Sequence, residues 1–225
     1  MSLHLDWCSH AAAKYSVENW HYSKTLQPAK TVKVGVWEEG QFVGCVLFTP
    51  GSGPIGSPYG LTPFEVCELS RIALKAGHKS PVSRIVRVAI SMLTRSNPKL
   101  RLIVSFADPV QGHHGGIYQA GNWVYVGDTT PSTAWVDENG KVWHGRAVSP
   151  SGFKTHMGNV SRCRKTGDME KMRLPGKHRY LYPLDEPMRR QIEPLRKPYP
   201  KRPKQATSSD QEDSGGAAPT RTLQL

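Results

Sequence analysis

Residues 65–107 read EVCELSRIALKAGHKSPVSRIVRVAISMLTRSNPKLRLIVSFA. In the middle of this stretch Val82, Ile85, Val86, Ala89, Ile90 and Leu93 recur at the i, i+3, i+4, i+7 spacing that lines one face of an α-helix, which predicts a helix over 81–96. Pro81 suits the first turn, because the N–H it lacks would have no partner there, and Ser80 is placed to cap it. The flanks differ in character. Residues 65–74 and 100–107 are short and apolar, which predicts two strands. A strand, a helix and a strand in succession argue for an α/β protein with a mixed sheet and short crossovers.

The pattern continues on both sides. Residues 8–19 predict a short helix with Asp6 as its cap. Residues 31–37 and 42–48, joined by a turn, predict a β-hairpin. Between them and the central stretch lies TPGSGPIGSPYGLTP, residues 49–63, a loop of a length that often serves a function inside a compact domain. Downstream, 116–121 predicts a short helix closed by glycine, 122–127 a strand, and 134–144 a second hairpin. From about 186 the chain turns rich in Pro, Lys and Arg, and from about 206 it is polar. The expected division is a domain over 1–185 and an extension over 186–225 that is disordered toward its end.

The formal charge of +12 is unevenly spread. Residues 1–140 carry 12 Lys+Arg against 10 Asp+Glu, whereas residues 141–205 carry 17 against 5. A nearly neutral core followed by a basic segment is the electrostatic footprint of a protein that meets a polyanion, most often nucleic acid. Arg162, Arg164, Lys165, Lys177 and Arg179 are the candidates for phosphate contacts. No apolar run approaches the roughly 20 residues that span a bilayer. The first residues show no basic and apolar leader pattern, and the four cysteines form no CxxC pair, so a reducing cytoplasm is expected.

Polar residues gather at the ends of the expected elements. Asp108 follows the strand 100–107, where ligands of α/β sheets collect. A carboxylate there can act as a base, orient another group, bind a metal or simply cap the turn. Arg71 lies inside a strand, on the face that alternation shares between Leu69 and Ala73, and a buried arginine needs a partner such as Glu65, Glu68 or Asp108. His21 and Tyr22 follow the first helix, and histidine is both the usual proton shuttle and a common metal ligand. Lys79, Ser80, Ser83 and Arg84 surround the start of the 81–96 helix, where free N–H groups make an anion site. Trp20, Tyr22, Tyr59 and Trp123 are available to stack on a flat ligand.

Taken together, ELSRIAL, AGHKSPVSRIVRVAISML, LRLIVSFAD and GGIYQAGNWVYVG resemble the second half of a GNAT-type acyltransferase fold. Tyr118 matches the place of the tyrosine that often protonates the departing thiolate of coenzyme A in that fold. The usual Q/R-x-x-G-x-G/A phosphate loop is absent, and AGHKSPVSR stands in its place. More closely, WHYS, SPYGLTPFEVCELSRIAL, PVSRI, LIVSFADPVQGHHGGIYQAGNWVYVG and the later HGR resemble the Mom family of phage Mu and related phages, over residues 15–180. The resemblance implies a GNAT-like mixed sheet with flanking helices. It also implies an enzyme of the host bacterial cytoplasm that converts adenine in double-stranded DNA to N6-carbamoylmethyladenine and shields phage DNA from restriction. Carried over by position, its active-site set falls on His21, Tyr22, Arg71, Asp108 and Tyr118. It further implies a small-molecule donor, with acetyl-CoA or a related acyl donor as one candidate. It associates the family with iron, for which His21 and Asp108 are the candidate ligands. A GNAT acetyltransferase of small amines or proteins, and a DNA-binding protein without catalysis, are the alternative readings.

Overall fold

In the computed structural model, residues 2–51, 53–145, 147–156 and 158–202 are described. Arg146 of the HGR motif and the polar stretch from 206 lie outside them. The central sheet has seven strands: β1 (Leu3–Trp7), β2 (Val32–Glu38), β3 (Gln41–Thr49), β4 (Val66–Leu74), β5 (Leu102–Ala107), β6 (Val124–Asp128) and β14 (His178–Pro183). Their spatial order is β1-β2-β3-β4-β5-β14-β6, and the β4–β5 pair alone is parallel. This is the GNAT-like mixed sheet that the sequence implies.

The parallel pair exists because β4 and β5 are joined by α2 (Val82–Ser96), whose buried face is Ile85, Val86, Ala89, Ile90 and Leu93, as its periodicity predicts. The cap differs. Pro81 takes the N-cap position without a side-chain bond, and the Ser80 backbone N–H is held instead by Glu38. The first helix, α1 (His10–Trp20), is capped by Ser9, whose Oγ accepts from Ala12 N at 3.1 Å; Asp6 lies inside β1. Short α3 (Gly116–Ala120) follows Gly115, which is left-handed at φ 82°, and a Cβ there would collide with the Tyr180 ring. Glycine therefore lets the turn close tightly enough to bury Tyr118 against Tyr180 and Trp123.

One face of the sheet buries Val46, Phe48, Leu69, Ile103 and Tyr180 beneath α2 and α3. The opposite face has two smaller clusters. Cys45, Leu47 and Ala73 lie under α1. Val66, Leu102, Val104 and Leu181 lie under α4 (Glu186–Ile192) and the loop carrying Tyr59 and Leu61.

Between β6 and β14 the chain makes a β-rich appendage. A three-stranded sheet of β7 (Ser132–Val136), β8 (Val142–His144) and β13 (Glu170–Leu174) closes over Ala134, Val142 and Leu174. Strands β9 (Val148–Ser149) and β12 (Arg164–Lys165) pair in parallel, and β10 (Phe153–His156) with β11 (Asn159–Arg162) forms a hairpin. The buried Asp137 organises the β7–β8 turn, accepting from Asn139 N and Lys141 N at 3.0 Å and from Trp143 Nε1 at 2.8 Å. Residues beyond 185 are built into the fold as well. Met188 and Ile192 of α4 are fully buried, Lys197 N donates to Tyr125 O at 2.8 Å, and the Tyr199 hydroxyl donates to Trp123 O at 2.6 Å. The folded unit thus continues past 185 to the last described residues, and much of the basic segment forms strands and a helix.

Candidate active site

The site begins where β4 and β5 part. Their pairing covers only Val66–Glu68 against Leu102–Val104, and beyond it the strands splay. Just past the split, β4 carries an extra residue. Leu47 of β3 faces Arg71 and Phe48 faces Leu69, so Ser70 forms a bulge, its Oγ donating to Leu47 O at 3.2 Å. The bulge corrects the simple alternation. Leu69 points into the core under α2, whereas Arg71 shares the opposite face with Ala73. Glu68 lies on this face too, because its partner Thr49 alternates with Leu47 and Cys45.

Arg71 donates from Nη1 to Ser70 O at 2.7 Å, and its buried Nε has no hydrogen-bond partner among the described residues. A buried donor left over in this way marks a place where a ligand's acceptor belongs. Close by, α1 ends at His21, which is buried; its Nδ1 lies 3.1 Å from Ser23 N and 2.8 Å from Ser23 Oγ. Accepting the backbone N–H at Nδ1 leaves the proton of the neutral ring on Nε2. Burial first, then the positive charge of Arg71, lowers the His21 pKa to about 3. At neutral pH the ring is an uncharged hydrogen-bond donor and a poor base.

Tyr22 is exposed, stacks 4.3 Å from the His21 ring, and meets His113 edge-on at 5.3 Å. Asp108 ends β5. Its Oδ1 accepts from Val110 N at 3.1 Å, its carbonyl accepts from His113 N at 3.1 Å, and its Oδ2 lies 2.8 Å from the Lys177 ammonium. Burial also lowers the His113 pKa, which Asp108 partly offsets. His21, Tyr22, Arg71, His113 and Asp108 thus form one neighbourhood at the open end of the sheet.

Tyr118 approaches from the other side of the split. The hydroxyl of Ser105 lies 2.7 Å from the Tyr118 hydroxyl and 2.8 Å from Leu69 O. A carbonyl only accepts and a serine has one proton, so the three are satisfied when Tyr118 donates to Ser105 and Ser105 to Leu69. Burial pushes the Tyr118 phenol up to about 12. It is a protonated group held in a short relay across the splay.

The remaining expectations divide. Lys79, Ser80, Ser83 and Arg84 do surround the start of α2, but Glu38 of β2 already supplies a carboxylate there, accepting Lys79 N and Ser80 N at 2.7 Å each. Lys79 Nζ pairs with Glu39 at 3.0 Å. Of the basic candidates, Lys177 is paired with Asp108, and Arg164 with Asp137 at 3.4 Å and Glu138 at 3.2 Å. Arg162 and Lys165 are exposed, and Arg179 stands over the Phe106 ring. Trp123 and Tyr59 are core residues, while Tyr22 is exposed at the site. Among the described residues no three His, Cys, Asp or Glu side chains are placed to hold a metal ion, so this set does not fit an iron centre. Among the same residues no helix is long and apolar enough to cross a membrane.

The splayed mixed sheet, with a buried arginine, a carboxylate and a phenol at its split, has GNAT-like architecture. The chain belongs to the Mom protein family, whose model matches residues 2–201, and this places it among DNA-modification proteins. No curated protein matches it. Among solved structures it is similar to an IAA acetyltransferase of Bacillus cereus, at 9% identity and a TM-score of 0.44, covering 81% of this chain and 100% of that one. An aminoglycoside acetyltransferase in complex with coenzyme A and kanamycin aligns at 11% identity and a TM-score of 0.45, over 86% and 98% of the two chains. A GNAT family acetyltransferase of Elizabethkingia anophelis with acetyl-CoA bound aligns at 8% and 0.42, over 81% and 98%. At these scores the likeness describes the course of the chain alone.

Proposed function

We propose that this chain transfers a carbamoylmethyl group to N6 of adenine in double-stranded phage DNA, giving N6-carbamoylmethyladenine and shielding that DNA from host restriction in the bacterial cytoplasm. Family membership supports the DNA-modification class. The observation that carries the reading further is the convergence of Asp108, His21, Tyr22 and the unsatisfied Arg71 Nε at one open end of the sheet.

In the reaction a bond forms between N6 and the CH2 carbon, the bond from that carbon to the donor's leaving group breaks, and N6 gives up one proton. Simple acetyl transfer would give an N-acetyl adenine, so the donor is a small molecule that delivers its carbon through CH2. Asp108 is the group that orients the amine and receives its proton. Arg71 Nε holds an acceptor of the donor, neutral His21 contributes a hydrogen bond, and Tyr118 is the proton source for the leaving group once its hydroxyl turns from Ser105. If that donor is carried on coenzyme A, its phosphates meet Lys79, Ser80, Ser83 and Arg84 at the start of α2.

The test is mass spectrometry of fully digested DNA from cells expressing the chain. A deoxyadenosine adduct with the mass of a carbamoylmethyl group is expected, and Asp108→Asn is expected to reduce it by about 10²-fold or more. An adduct at the parental level in a folded Asp108→Asn variant removes Asp108 from its role. No adduct at all from folded parental protein removes the reading.

A further inference from the structure

Adenine N6 takes part in base pairing, so an enzyme that acts on it must take the base out of the stack and hold it. The structure contains a slot of the right character beside Asp108. On the sheet face opposite α2, Val104 and Phe106 of β5 form its floor, Arg179 of β14 one side, and Pro54, Ile55 and Pro58 the other. Its volume is about 170 Å³, well under the roughly 300 Å³ at which pockets for drug-sized ligands begin, so it suits a single ring system. The loop wall is fixed in advance: Tyr59 N and Leu61 N donate to Gly56 O at 2.9 and 3.1 Å, and Gln191 of α4 donates to Tyr59 O at 2.9 Å.

Strand register ties the slot to the chemistry. Phe106 pairs with Arg179 across β5 and β14. Two residues along the same side, Phe106 gives way to Asp108 and Arg179 to Lys177, whose side chains meet at 2.8 Å. Two residues of strand span about 6.6 Å, roughly the length of a purine. The Arg179 guanidinium sits 6.0 Å from the Phe106 centroid, at the outer limit of a cation–π contact, so it is loosely held and free to cover a ring laid on Phe106.

We infer that this slot receives the flipped adenine, stacked on Phe106 and covered by Arg179, with its N6 edge directed to Asp108. The inference rests on the adenine reading above and names the residues that would hold the base. Apolar walls give a flat heterocycle the stacking surface it loses from the duplex, and the guanidinium plane covers its other face as a cation–π partner. A charged donor molecule would find no match on five of the six lining residues.

The test uses the full chain, two variants and two duplexes, one fully paired and one with its adenines in A·C mismatches. Pro54→Trp fills the slot from an exposed rim position, and Phe106→Leu keeps an apolar floor without a π face. Parental protein is expected to bind the mismatched duplex several-fold tighter, because less unpairing is needed. Pro54→Trp is expected to abolish that preference and lower the adduct at least tenfold, with affinity for the paired duplex kept within twofold. Phe106→Leu is expected to remove most of that preference and to lower the adduct several-fold, because one base–aromatic stack is lost. If parental protein makes the adduct and both folded variants match it in preference and yield, the slot does not hold the base, while the adenine reading stands. If parental protein makes no adduct, the adenine reading falls and this assignment with it.

Discussion

At the scale of single residues, the site is built on groups whose charge has been set by burial. His21 is the clearest case. Its pKa in the folded chain is about 3, below the ordinary value of 6.5, so between those limits the unfolded chain binds one proton more. The stability His21 contributes is present above pH 6.5 and is lost as the pH falls toward 3. Unfolding free energy should therefore decline on acidification with a one-proton slope of about 1.4 kcal/mol per pH unit, and His21→Asn should flatten the decline in chemical denaturation at pH 6.5, 5.5 and 4.5. An identical slope in the variant would mean that His21 titrates in the native state as it does in the unfolded chain. His21, Tyr22 and Asp108 stood out in the sequence as polar side chains at element ends, and Arg71 as a charge inside an apolar strand. Ser105 and Phe106 did not, since inside LRLIVSFA a serine and a phenylalanine look like ordinary strand residues. What singles them out is a partner 13 residues away in one case and a facing arginine 73 residues away in the other.

At the scale of elements, the start of α2 shows how a local signal can be right in place and altered in content. Basic and hydroxyl residues around a helix N-terminus read as an anion site, and an anion is there, but it is the Glu38 carboxylate of β2. The bonds to Lys79 N and Ser80 N hold the Glu38 pKa below its ordinary value. Glu38→Gln should cost about 1.5–3 kcal/mol of stability, the range for hydrogen bonds to a charged group. If the α2 start also takes the phosphates of a coenzyme, the same variant should bind coenzyme A several-fold more tightly in calorimetry, since a competing negative charge is gone. Unchanged affinity would exclude residues 79–84 as a phosphate site. The elements themselves were unevenly legible. Helix α2 declares itself through a full buried stripe, and the hairpins through their turns. β14 does not. HRYLYP begins with two basic residues and ends in proline, and its strand state is fixed by β5 on one side and β6 on the other, contacts that no local propensity encodes. The Ser70 bulge is likewise a matter of register with β3, and it reverses the face of everything after it.

At the scale of the whole molecule, the excess charge belongs mostly to folded structure. Lys177 and Arg164 are already paired with carboxylates, whereas Arg162 and Lys165 are exposed and Arg179 faces the slot. Joint neutralisation of Arg162 and Lys165 should flatten the log–log dependence of DNA affinity on salt by about 0.9 for each lost contact, and neutralising Lys177 and Arg164 should change it much less. Equal effects from the two sets would show that the paired cations release their carboxylates on binding. The position of β14 carries a consequence for biosynthesis. The central sheet closes only when residues 178–183 slide between β5 and β6, after an appendage of nearly fifty residues has been made. A nascent chain that has not reached this point leaves both neighbours with open edges, which invite pairing with other chains. The same late segment delivers Lys177 to Asp108 and Arg179 to Phe106. On the ribosome, the reactive carboxylate therefore waits for its counter-charge until the fold is nearly complete, and a prematurely ended product lacks both the sheet and the chemistry.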